Sequence, residues 1–283
     1  MSAISVLGLG AMGAGIAAKL RGAGHELTVW NRTPGRDEEL VAAGALRAET
    51  PADAVRSAEV VVTMVTDPPA LDAVLFGPDG AASAIDRDAT LIEMSTVGPS
   101  AIGSVVERIA PVDVLDAPVL GSVPSVETGS LVILAGGDRE VFDRHAGLLA
   151  LLGTPMHVGP SGSGAWLKLV NNAASIATLV ALGELLAVTD RAGVEARTVL
   201  DSLEAGPLAS LVARWRPRLL GEDTSSNFQL TLARKDLAIA FDEAERLKAR
   251  LTVDETAAAR CDEAIEGGLG DEDFGAVVGF LRR

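Results

Sequence analysis

The sequence predicts an α/β protein in two parts: a doubly wound parallel-sheet domain over residues 1–160, then an all-helical domain over residues 161–283, joined by a long helix. Three observations carry that reading. Up to about residue 159, short β-rich runs alternate with helical runs, the pattern of a parallel sheet with helices on both faces. A glycine-rich turn, GLGAMG, separates the first strand from the first helix. From residue 162 to 189 the chain is apolar on nearly every face of a helix, and beyond it strand signals vanish.

Composition narrows the function. The 283 residues are 48% hydrophobic, enough for a sizeable core. A formal net charge of −15 leaves no basic surface to displace counterions, so neither a nucleic acid nor an anionic membrane is the expected partner. Any anionic ligand must then be held by local donors. One cysteine, Cys261, excludes an internal disulfide and a cysteine-based metal cluster, and points to a reducing cytoplasm. The first residues, MSAISVLGLGAMG, read as strand and turn and not as an export signal. There is no tyrosine, which removes a Tyr/Lys proton-donor pair. None of His25, His145 and His157 stands beside an acid that would orient it as a base or metal ligand. Proton transfer therefore falls to lysine by elimination, and no metal site is expected.

Residues 4–7 form the first strand, and a helix follows the turn Gly8, Leu9, Gly10, Ala11, Met12, Gly13. This is G-x-G-x-x-G in the context it requires, between a strand and a helix start. The first glycine makes the turn, the second lets a pyrophosphate approach the backbone, and the third lets helix and strand pack closely. The second strand, 26–30, ends in Asn31, Arg32 and Thr33. An acid here would read the 2′-hydroxyl of NAD; an amide, a guanidinium and a hydroxyl are donors for a 2′-phosphate. NADP(H) is thus expected in preference to NAD(H), with Arg32 on the adenine or the phosphate; the alternative is a solvated loop arginine.

Further strands are expected at 60–65, 90–94, 112–116, 131–135 and 156–158. Loops at the carboxyl ends of such strands form the ligand crevice, which places Met64, Val65, Thr66, Asp67, Pro68, Ser95, Thr96, Gly121 and Ser122 along it. The 162–189 helix is apolar enough to rival a membrane span, but Lys168, Asn171, Asn172 and Glu184 lie within it, so burial in a protein core is expected. Lys168 and Asn172, four apart, share one face. A buried ammonium needs a partner or a purpose; the alternative is a lysine snorkelling to solvent. The helical half is broken at 206–207, Pro217, 221–226 and 267–271. Lys235-Asp236, before the amphipathic run 237–251, reads equally as a surface ion pair or as part of a site.

Taken together, GLGAMG (8–13), NRT (31–33), MSTVGPS (94–100), DAPV (116–119), GSGAWLKLVNN (162–172), KDL (235–237) and GDEDFGAVV (270–278) resemble the β-hydroxyacid dehydrogenase superfamily over essentially the whole chain. That superfamily includes 3-hydroxyisobutyrate dehydrogenases and glyoxylate/succinic semialdehyde reductases. The resemblance implies a Rossmann domain followed by an all-α domain, with Lys168 as catalytic acid/base and Asn172 positioning substrate and lysine. It implies further that Lys235 lies near nicotinamide and substrate, and that dimers or tetramers form through the helical domain. Two departures stand out. Where relatives commonly read DAPVSGG, this chain has Leu120 at the usual serine and Ser122 two residues on, and Trp166 replaces a small residue.

The activity this implies is hydride transfer between NADPH and a small aldehyde or oxo acid, or the reverse from the matching hydroxy acid. Lys168 handles the proton, its pKa drawn down by desolvation. Asn172, Ser122, Gly121, Thr96 and Lys235 hold the substrate. The alternatives are reduction of a C=N bond by an imine reductase-type enzyme, which retention of Lys168 disfavours, and a non-catalytic NADP(H)-binding sensor.

Overall fold

The computed structural model describes residues 2–223, 225 and 228–283. Thr224 and Ser226, within the expected break at 221–226, and Asn227, before Lys235, lie outside the described residues, as does Met1. The chain divides into two compact units, one ending at Leu169 and one beginning at Val170.

The first unit holds nine strands among the described residues: β1 (Ala3–Leu7), β2 (Glu26–Trp30), β3 (Leu46–Arg47), β4 (Val60–Thr63), β5 (Thr90–Glu93), β6 (Asp113–Asp116), β7 (Val119–Leu120), β8 (Leu131–Gly136) and β9 (Gly153–Gly159). Around them lie α1 (Ala11–Gly22), α2 (Glu38–Ala42), α3 (Pro51–Val55), α4 (Pro68–Phe76), α5 (Pro99–Ile109), α6 (Val123–Thr128) and α7 (Arg139–Leu149). The sheet order is β3-β2-β1-β4-β5-β6-β8-β7, with β9 beside β8. The first six strands run parallel, and β8 is antiparallel to β6 and β7. The order reverses between β1 and β4, so a crevice opens at the carboxyl ends of those two strands.

A parallel strand is covered on both faces, which is why these runs are continuously apolar and not alternating. Ile4, Val6, Val60, Val62 and Ile92 share one core with Ile16, Ala17 and Leu20 of α1. Leu7, Val61 and Leu91 face the other way, onto Ala54, Leu71 and Ile102 of α3, α4 and α5. The expected strands 60–65 and 90–94 end earlier, at Thr63 and Glu93, and the freed residues turn away to form loops. The strand expected at 156–158 begins at Gly153, and Pro155 is tolerated there because β9 is an edge. Two-residue β3 and β7 are too short to show any periodicity.

The second unit is built on α8 (Ser163–Arg191), which starts in the first unit, and on α9 (Ala196–Glu204), α10 (Ala209–Leu219), α11 (Leu230–Arg246), α12 (Thr252–Ala264) and α13 (Ala276–Leu281). Ile176, Leu179, Leu182 and Leu186 of α8 are buried in one core with Leu200, Val212, Leu237 and Val277. By length and composition alone α8 could cross a bilayer, yet that face is the second unit's core.

Three expectations fail here. Burial of α8 on nearly every face does not hold: Val170 is 56% exposed, Leu185 56% and Val188 65%. The helix also runs past Thr189, because Asp190 finds an ion pair with Arg282 and the Arg191 guanidinium returns to the Ala187 carbonyl. Nor does Pro217 break the chain. It lies inside α10 two residues from its end, and its carbonyl accepts the amides of Glu222 at 2.7 Å and Asp223 at 3.2 Å.

Candidate active site

The glycine turn spans the gap from Leu7 to Ala11. Gly8 has φ +101°, and a Cβ there would lie 2.3 Å from the Met64 carbonyl oxygen. At Gly13 a Cβ would lie 2.0 Å from the Gly8 carbonyl oxygen. A side chain at Gly8 would push the turn off the loop after β4, and one at Gly13 would push α1 off the turn. No side chain caps α1 at Gly10, so the amides of its first turn, from Ala11 through Met12 to Gly13, are donors suited to a pyrophosphate.

Asn31 does something the sequence did not indicate. Its Oδ1 accepts the Leu9 amide at 2.8 Å, and its Nδ2 donates to the Thr33 carbonyl at 2.8 Å. The side chain read above as a phosphate donor thus staples the glycine turn to the end of β2. Arg32 and Thr33 remain exposed beside it.

The loops after β4 and β5 are tied together by the Val65 amide, which donates to Ser95 Oγ at 2.8 Å. Glu93 Oε1 in turn accepts the Ser95 amide at 2.8 Å. Met64, Val65 and Thr96 are half-buried around this tie, and Thr66 is exposed. Ser95, expected to line the crevice, spends its hydroxyl on this tie, and Glu93 is a support that sequence reasoning assigned no role. The available signal was an acid ending a strand, TLIE, whose four residues are all buried.

Gly121 has φ +134°, and Ser122 then caps α6 in a reciprocal box with Ser125. The Ser122 hydroxyl accepts within that box and keeps its proton to donate. Leu120, at the usual serine position, is paired with Val132 in the β7–β8 ladder. Behind the loop, α6 lies on α1: a Cβ at Gly15 would meet Val126 Cγ1 at 3.2 Å, and Lys19 Nζ donates to the Glu127 carbonyl at 2.9 Å.

Lys168 is half-buried, and its Nζ donates to the Val119 carbonyl at 2.9 Å. The snorkelling alternative fails, because the amine turns back onto the chain beyond β6. In the second unit, Asn172 Nδ2 donates to Asp236 Oδ2 at 2.5 Å, and Lys235 Nζ lies 2.8 Å from Asp236 Oδ1. Asp236 is 3% exposed, so Lys235-Asp236 is not a surface ion pair but the core of a three-residue network. Sequence reasoning gave Asp236 no link to Asn172, because one acid after a lysine carries no signal of its own.

The remaining titratable candidates are accounted for structurally. His25 Nδ1 accepts the Ser2 amide, His145 Nε2 meets Thr90 Oγ1 at 2.9 Å, and His157 Nε2 meets the Gly137 carbonyl at 2.9 Å. Burial, chiefly, lowers the His145 pKa. Burial pushes the Cys261 thiol up to about 11, which makes it a poor nucleophile. A polar depression lined by Arg87, Asp88, Pro111, Asp113 and Arg144 lies at the amino ends of β5 and β6, the wrong end for the crevice.

A glycine turn feeding an uncapped helix at the reversal point of a parallel sheet is built to take a dinucleotide, and its residues fit a nicotinamide cofactor. The protein is an NAD(P)-dependent oxidoreductase. Residues 3–159 match the NAD binding domain of 6-phosphogluconate dehydrogenase, and residues 162–281 match the NAD-binding domain of NADP-dependent 3-hydroxyisobutyrate dehydrogenase. The chain is 31% identical to the 3-sulfolactaldehyde reductase of Escherichia coli, with 100% of this chain and 96% of that one aligned. It is 31% identical to glyoxylate/succinic semialdehyde reductase 1 of Arabidopsis thaliana, over 97% of this chain and 96% of the relative. The structure of a Mycobacterium tuberculosis 3-hydroxyisobutyrate dehydrogenase with L-serine superposes with a TM-score of 0.91 at 25% identity, covering all of both chains. The chain belongs to the β-hydroxyacid dehydrogenase superfamily.

Proposed function

We propose that the protein reduces a small aldehyde or oxo acid with NADPH, or oxidises the matching hydroxy acid with NADP⁺, and that Lys168 is the general acid/base. The observation that carries this is the half-buried Lys168 amine, held on the Val119 carbonyl in the segment just beyond β6. The dinucleotide, when bound, supplies the hydride to the carbonyl carbon. Lys168 Nζ gives its proton to the carbonyl oxygen as the negative charge develops there, and the neutral amine recovers a proton from solvent. Asn172, fixed by Asp236, keeps one N–H and its Oδ1 to orient a substrate. Ser122, the Gly121 amide, Thr96 and Lys235 are assigned the rest of the substrate. The relatives named for 3-sulfolactaldehyde, glyoxylate and succinic semialdehyde support that substrate range.

NADP(H) is preferred over NAD(H) in this reading, with Arg32 and Thr33 as the 2′-phosphate donors and Asn31 as their anchor. The helical half is assigned to substrate binding and assembly with a second copy of the chain. Exposed Val170, Ala174, Ala181, Leu185 and Val188 of α8 recur at intervals of three, four and seven residues, a stripe that suits an isologous helix pair. The free, buried Cys261 suits a reducing cytoplasm.

The test is Lys168→Ala, assayed by NADPH oxidation against glyoxylate, succinic semialdehyde and related carbonyl acids, and by NADP⁺ reduction against hydroxy acids. Turnover is expected to fall about 10²- to 10⁴-fold with NADPH binding retained. Wild-type turnover in that variant removes the assignment.

A further inference from the structure

The first turn of α8 lacks a cap of its own. Gly162, whose carbonyl accepts the Trp166 amide at 3.0 Å, stands at the N-cap; it has no side chain, and its φ of +89° favours glycine. Position N3 is Ala165, which cannot reach back to the N-cap amide. In a capping box those two amides, N-cap and N3, are satisfied by two local side chains. Here a single carboxylate 46 and 49 residues away takes both: Gly162 N–H donates to Asp116 Oδ1 at 2.8 Å, and Ala165 N–H donates to Asp116 Oδ2 at 2.9 Å. Asp116 is fully buried at the end of β6. The approach is close enough that a Cβ at Gly164 would lie 2.0 Å from the Leu134 carbonyl oxygen and 2.6 Å from that of Asp116.

Three residues beyond Asp116, the Val119 carbonyl accepts the Lys168 amine, three residues beyond Ala165. One short segment, 116–119, therefore grips the helix at its first amides and the lysine at its tip. A fully buried carboxylate is costly, and burial raises the Asp116 pKa even though backbone amides pull it down. A local Ser or Asp at the helix start would have capped it more cheaply. What the distant carboxylate adds is registration of the helix against the segment that holds the amine.

We infer that Asp116 is a positioning residue for the Lys168 amine: it fixes the axial and rotational setting of the first turn of α8 on the 116–119 segment, and so the place from which the lysine delivers its proton. The inference rests on the assignment of Lys168 as acid/base. A misplacement of about 1 Å at a catalytic group costs up to about 10²-fold in rate, so the effect is measurable. In Asp116→Asn the single remaining acceptor satisfies one amide, while the new NH₂ opposes the other.

The experiment is a double-mutant cycle of Asp116→Asn and Lys168→Ala, with kcat measured on whichever carbonyl acid the wild type reduces and NADPH affinity by fluorescence titration. Asp116→Asn alone is expected to lower kcat about 10- to 100-fold, with NADPH affinity within about twofold. In the Lys168→Ala background it is expected to change residual turnover by less than about twofold, because the group it acts through has gone. The same loss factor in both backgrounds, or no loss in either, overturns the inference. If Asp116→Asn does not bind NADPH, Asp116→Ser, which keeps one acceptor without the opposing NH₂, carries the comparison. If Lys168→Ala is itself fully active, the acid/base assignment fails separately. The positional tie is then read by ¹³C-dimethyl-lysine NMR, which is well resolved because the chain has only four lysines. A displaced Lys168 signal in Asp116→Asn with the other three unmoved supports the tie; an unmoved Lys168 signal overturns it.

Discussion

Replacing Asn31 by alanine separates two readings of the same side chain. If Asn31 is a donor to a 2′-phosphate, its loss weakens NADPH and leaves NADH untouched. If it is the staple described above, both dinucleotides suffer alike, because the glycine turn itself loosens. The structure favours the second, since both polar atoms are engaged within the protein, to Leu9 N and Thr33 O at 2.8 Å each. A net intramolecular hydrogen bond is worth about 0.5–1.5 kcal/mol; with about 1 for the part-buried Leu9 bond and about 0.5 for the exposed Thr33 bond, the loss is about 1.5 kcal/mol. That is roughly a tenfold increase in Kd. Isothermal titration of Asn31→Ala with NADPH and with NADH is expected to show about this increase for both. Arg32→Ala in the same series is expected to weaken NADPH and spare NADH. An Asn31→Ala variant that loses affinity only for NADPH refutes the staple, and one that changes neither refutes any role.

Two other outcomes test different levels of the structure. Burial lowers the His145 pKa, so the unfolded chain binds the proton more readily; the His145 contribution to stability is present above the ordinary value near 6.5 and is lost as pH falls below it. The melting temperature is therefore expected to drop more between pH 7.5 and 5.5 in the wild type than in His145→Gln, and parallel slopes would contradict this. On α8, Leu186→Ala removes a fully buried side chain and is expected to cost about 2–5 kcal/mol in urea unfolding, whereas Leu185→Glu on the exposed face should leave a folded chain that sediments as a monomer.

How much was legible depended on the range of the interaction. The strand-turn-helix around Gly8, Gly10 and Gly13 is local, and its chemistry is written in consecutive residues. The strand ends at Thr63 and Glu93 were overrun because Met64, Val65 and Met94 are as apolar as the strands before them. Lys168 stands out because a cation in an apolar helix is conspicuous; its acceptor, a main-chain carbonyl at Val119, has no residue identity to read. Asp116 was visible in DAPV, but that it caps a helix starting 46 residues later is information held only in three dimensions. Asp236 was hidden in the same way. The exposed face of α8 went unnoticed since hydropathy alone does not say which apolar side chains the chain covers itself.

The seating of α6 on α1 bears on redesign. Val126 rests against the bare backbone of Gly15, and the Lys19 amine holds the Glu127 carbonyl, so the stretch that opens with Ser122 shares a boundary with the dinucleotide helix. A graft that reshapes residues 121–128 should therefore be carried with positions 15 and 19 from the same donor sequence. A change at Val126 made by itself meets the backbone of α1 at Gly15.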